Sequence, residues 1–173
     1  MILDLKSLVE KNSVSPCLLL SHAEAASVML WKFKHAPEGT AGEWARDSAG
    51  AVDFTLVWVG ASDSLLNTYG NEKDATEEGA YAVAIALVNA IGFKVIARTF
   101  QGSHCDWVMV PTGEPANDYH KLEVSGMARA GREMPEARLA EKVEQGSGGD
   151  WERPGTAVVV RFEDVRVLSK DWR

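Results

Sequence analysis

Two carboxylates in the second half of the chain stand where carboxylates are costly. Asp106 sits in HCDWVMV and Glu123 in KLEVSG, both otherwise strand-like runs. Asp is disfavoured in strands, and a Glu buried in a central strand costs free energy unless it is paired or metal-bound. Side chains alternate along a strand. Asp106 therefore shares a face with Val108 and Val110, and on the later run Lys121, Glu123 and Ser125 share one face. One hairpin's length separates the two runs, so the carboxylates can stand side by side on neighbouring strands. Such a pair suits a hard divalent cation, Mg²⁺ or Mn²⁺, whose other positions are filled by water and phosphate oxygens. The competing readings are a strand-end Asp beside the turn QGSH, and a Glu ion-paired with Lys121 or Arg98. Two close carboxylates repel, which raises the pKa of at least one. Removing one charge, as in Asp106→Asn, is then expected to be neutral or stabilising.

The neighbouring segments supply the elements to hold this pair. DATEEGAYAVAIALVNAIG predicts a helix over 75–91, with Ala80, Tyr81, Ala84, Leu87, Val88 and Ile91 as one apolar stripe. Asp74 is a good N-cap, Glu77 falls at the capping-box position, and Gly92 is a stop signal. Glu77 has two readings, a capping residue or an active-site acid turned toward the sheet. Glu78 is rotated about 100° away. FKVIARTF, CDWVMVPT and YHKLEVSGM predict strands over 94–100, 105–110 and 120–125. GMARAGRE then supplies Arg129 and Arg132. MPEARLAEKVEQ predicts a helix with Leu139 and Val143 on one face and Glu141 and Lys142 exposed. TAVVVRF reads as a buried strand, and EDVRVLSKDW as a last edge strand.

Helix, three strands, helix, strand, with Asp on the second strand and Glu-x-polar on the third, resembles the core of the restriction-endonuclease-like, or PD-(D/E)xK, nuclease superfamily. The resemblance spans roughly residues 74–165. Two positions depart from the motif: Cys105 stands at its Pro and Ser125 at its Lys, while Lys121 lies on the same strand face two residues earlier. The resemblance implies an α/β fold with a mixed central sheet of about five strands flanked by helices, and an αβββαβ core. It also implies a Mg²⁺- or Mn²⁺-dependent phosphodiesterase acting on nucleic acid, DNA being the expected substrate. Asp106 and Glu123 would hold the metal, and Lys121, Ser125 and Glu77 would orient water or phosphate. The missing motif Lys and the acidic charge leave open a catalytically inactive nuclease-like module for interaction or assembly.

The 173 residues read as one domain, with 1–73 an N-terminal helix–strand addition and 74–173 the nuclease-like core. A net charge of −7 argues against tight non-specific binding of nucleic acid, since phosphate affinity comes mostly from Lys and Arg. A basic protein partner or a second copy of the chain is therefore expected to complete any binding surface. The amphipathic start and the short LLL at 18–20 do not make a secretory signal, and no apolar run reaches membrane-spanning length. Cys17 and Cys105 make no metal-ligand pattern. A cytoplasmic protein without membrane association is the expectation. Rival motifs (P-loop, GxGxxG, GxSxG, HExxH) are missing.

Before the core, residues 1–12 predict a short amphipathic helix, and a second helix is expected with Ser21 as cap. HAPEGTAGEWARDSAGA and ASDSLLNTYGNEK read as loops, and VDFTLVWVG as a strand. His22 and His35 read as surface or cap residues. Residues 36–50 and 145–155 are expected to be the most mobile interior segments.

Overall fold

The computed structural model describes residues 1–47, 50–100, 102–113, 117–131, 134–149 and 151–173. Arg132 lies outside them, as do residues 48, 49 and 150 of the two segments expected to be mobile. The chain begins with a strand, β1 (Ile2–Asp4), a 3₁₀ turn and a short helix, α1 (Leu8–Lys11), in place of one amphipathic helix. The first residues are strand because their backbone pairs in parallel with a segment fifty residues on, Leu3 opposite Leu56. Leu5 and Leu8 are nevertheless buried, as helical spacing predicts. The next helix, α2 (Pro16–Lys32), starts well before Ser21. Ser15 is its N-cap residue and Pro16 opens it, as Pro does at a first turn.

The largest departure follows. A strand, β2 (Thr40–Arg46), occupies the middle of the expected loop and forms an antiparallel pair with β3 (Ala51–Val57). Two tryptophan hydrogen bonds tie it to residues outside its own sequence. Trp44 is buried and donates from Nε1 to Ser169 Oγ (2.9 Å), and Trp58 Nε1 donates to Thr40 Oγ1 (3.1 Å). A short helix, α3 (Asp63–Thr68), capped by Ser62, replaces the second expected loop.

The central helix, α4 (Glu72–Ala90), begins a turn earlier than the sequence suggests. Asn71 is its cap, accepting from Lys73 N (3.1 Å), so Asp74 is a first-turn residue, Glu77 falls in the second turn, and the two make no capping box. From Gly79 to Val88 every residue of α4 is buried. An apolar stripe alone cannot achieve that; the helix is enclosed between α2 and the sheet. Small residues permit it. A Cβ on Gly79 would lie 2.9 Å from the Ala26 backbone, and one on Gly126 would lie 2.3 Å from Thr76 O.

After α4 come β4 (Phe93–Arg98), β5 (Trp107–Pro111) and β6 (His120–Met127), an antiparallel meander. A helix, α5 (Pro135–Ser147), then crosses to β7 (Gly155–Arg161), parallel to β6, and β8 (Arg166–Trp172) closes the chain. The architecture is α/β, with one mixed sheet of eight strands, rather than about five, in the order β1-β3-β2-β8-β7-β6-β5-β4. The last strand is not an edge strand: β8 lies between β7 and β2. Residues 1–73 thus extend the same sheet. Alternation divides the core cleanly. Leu122, Val124, Val158 and Val160 join the α4 side, and Ala157, Val159 and Leu168 meet Leu139 of α5 on the other. No helix among the described residues is long and apolar enough to cross a membrane.

Candidate functional site

Asp106 immediately precedes β5, where its backbone N–H donates to Leu122 O (3.1 Å) and ties it to β6. Both of its carboxylate oxygens are held. Tyr81 of α4 donates its hydroxyl to Oδ1 (3.0 Å), and the Val124 N–H donates to Oδ2 (2.8 Å). Tyr81 is itself fixed by ring contacts with His22 and Trp107, with the Arg98 guanidinium 5.3 Å from its ring centre. Burial, then the Asp106 charge, raise the Tyr81 pKa and keep the hydroxyl a donor. His22 is fully buried and so is not a surface or cap residue. Burial, then Arg98, push its pKa down to about 4, so it is neutral where its Nδ1 meets Glu78 Oε2 at 2.5 Å.

Glu123 is 1% exposed. The Lys142 ammonium of α5 donates to its Oε1 at 2.7 Å, while Oε2 has no hydrogen-bond partner among the described residues. Burial, then the Asp106 charge, raise the Glu123 pKa to about 7. Adjacent strands therefore bring Asp106 and Glu123 together. The ion-pair partner is neither Lys121 nor Arg98 but Lys142, expected to be exposed and in fact mostly covered.

A cleft of about 690 Å³ opens over this pair. Glu77, Ser125, Arg138 and Lys142 all line it. Glu77 is exposed, at the cleft rim. Gly126 matters here, because only a residue without a side chain lets α4 come down onto β6 at Thr76. Ser125 is buried and accepts from Arg138 Nε (3.0 Å).

Lys121 does not join the cleft. It is fully buried at the other end of the β6 face, where its ammonium donates to Gly146 O and Gly148 O (both 3.0 Å). These carbonyls terminate α5, where a cation is favoured. The Asp106→Asn expectation also changes. An amide offers one acceptor oxygen, whereas Tyr81 and Val124 both need an acceptor.

Sequence reasoning missed Lys142 and Arg138. Their one signal was the i, i+4 spacing that puts both on the α5 face turned toward β6. Among the described residues no three His, Cys, Asp or Glu side chains form a metal-binding group. Comparison of the chain with protein-family models, with curated proteins and with solved structures gave no match.

Proposed function

We propose that this chain is a divalent-metal-dependent phosphodiesterase acting on nucleic acid, DNA by expectation. The observation that carries this reading is the Asp106–Glu123 pair: Asp106 just before β5 and Glu123 on the adjacent β6, the latter buried with an oxygen unpartnered among the described residues, in a cleft that also holds two cations. The donor set fits Mg²⁺ or Mn²⁺. It offers carboxylate oxygens, an orphaned acceptor at Glu123 Oε2, and room for the waters such ions retain. Asp106 and Glu123 would hold the ion, which when bound supplies an activated water and neutralises charge at the scissile phosphate. Tyr81 and the Val124 N–H fix the Asp106 carboxylate in place. Lys142 and Arg138 offer donors to phosphate oxygens, with Ser125 orienting Arg138. Glu77, at the rim, is positioned to accept a proton from water.

The order α4, β4, β5, β6, α5, β7 supports the likeness to the PD-(D/E)xK core, with the remaining strands as additions to its sheet. Lys142 rather than Lys121 takes the motif's missing cation in this reading. The inactive interaction module is favoured by one observation, the Lys142–Glu123 ion pair, which already satisfies half of Glu123. Incubation of the purified chain with labelled single- and double-stranded DNA separates the two. Cleavage that requires Mg²⁺ or Mn²⁺ and disappears in Glu123→Gln supports the enzyme. Wild type as inert as the variant supports the module.

A further inference from the structure

Next to the acid pair, beyond the strands that α5 covers, a second groove of about 380 Å³ runs across β4 and β5. Of its aromatic lining, Phe100 is exposed and Tyr119 and Trp151 are half-buried. Phe100 is 67% accessible, an apolar ring left open to water. Trp151 stands beside it, ring centres 6.5 Å apart, backed by the Lys121 ammonium 5.9 Å from its ring. Tyr119 and Arg153 complete the lining, and Val108 lies in the groove. Among the described residues lining it there is no carboxylate, in a chain whose net charge is −7. The Arg98 guanidinium is turned the other way, over Tyr81 and Trp107, which leaves Arg153 as the groove's outward cation. Val108 is two residues from Asp106, or roughly 7 Å along an extended chain. The groove therefore adjoins the acid pair.

We propose that this groove is a stacking site for unpaired bases of a single-stranded nucleic acid whose phosphodiester lies in the adjoining cleft. The proposal rests on the phosphodiesterase reading. Aromatic faces accept any base, because every base has a π-face to stack. A duplex keeps its bases stacked internally and binds through phosphates, which an acidic chain serves poorly. Phe100 and Trp151 offer what a single strand can use and a duplex cannot.

The test is fluorescence anisotropy of labelled oligothymidylate with the full chain in EDTA, against the same strand annealed to oligoadenylate. The single strand is expected to bind more tightly. Phe100→Ala should weaken it about tenfold, and Phe100→Trp should restore it. Phe100 is exposed, so neither substitution threatens the fold. Equal or tighter duplex binding, no binding of either form, or an unchanged affinity in Phe100→Ala overturns the stacking site. Any of these, combined with metal-dependent cleavage that Glu123→Gln abolishes, removes the stacking site alone and leaves the phosphodiesterase reading standing.

Discussion

Lys121 and Glu123 lie two residues apart on the same face of β6, both buried, and their surroundings are opposites. The Lys121 ammonium is provided for. It has two carbonyl acceptors, the negative end of α5 and the Trp151 ring. The Glu123 carboxyl is not. One oxygen has Lys142, the other has no partner among the described residues, and the Asp106 charge acts against it. A buried charge with satisfied partners contributes to structure, whereas one held beside a like charge at a cleft floor is where a ligand can be bound or chemistry done. The same strand thus carries a structural cation at one end and a candidate functional anion at the other.

The largest expected effect breaks the structural end. Lys121→Met leaves Gly146 O and Gly148 O without their donor and should cost about 3–5 kcal/mol in denaturant unfolding. A cost near zero would place Lys121 among dispensable residues and erase the contrast.

The second effect is a pH dependence. Glu123 titrates near 7 in the fold against 4.5 when exposed, so between those values the folded chain binds the extra proton. Stability from this group is present at low pH and lost as pH rises from about 4.5 through 7, by about 3 kcal/mol in all. Glu123→Gln should remove that loss. It should match wild type near pH 4 and exceed it above pH 7 in parallel melts. A wild type that gains on the variant with rising pH would make the Lys142 pair dominant.

Smaller effects sharpen the site. Asp106→Asn should cost about 1–2 kcal/mol, because either Tyr81 or Val124 loses its acceptor. Ser125→Ala should cost about 1 kcal/mol by removing the hydroxyl that accepts from Arg138 Nε. An Asp106→Asn protein as stable as wild type at pH 8 would mean that relief of repulsion outweighs the lost hydrogen bond.

Much of the site's frame was legible in the sequence. The change from helical spacing to alternation near Gly92 locates α4 and β4 to β6 within a few residues, and the run TAVVVRF locates β7. That alternation also places Glu123 on β6, while Asp106 lies just before β5, beside the turn, rather than within the strand expected over 105–110. What alternation could not do was separate Lys121 from Glu123, which share a face by sequence and differ only in what α5 brings over each. Lys142 was illegible for the same reason, since its partner lies on another element. The strand β2 was hidden because GTAGEWAR is rich in small residues with no period. Its stability comes from β3, β8 and Ser169, far away in the chain. The early start of α4 was missed because Asp74 is as good a cap by type as Asn71, and the folded packing decides between them.

The measurement that bears most directly on the proposed function is the thermal melt of wild type and Glu123→Gln with and without Mn²⁺. A site formed by Asp106 and Glu123 predicts that Mn²⁺ at a hundredfold excess over its dissociation constant stabilises wild type by about 2.7 kcal/mol. That corresponds to a rise of about 5–10 °C for a chain of this size. Glu123→Gln should show no rise. A wild type whose melting temperature ignores saturating Mn²⁺, or a variant that responds as strongly as wild type, would contradict the metal-dependent reading.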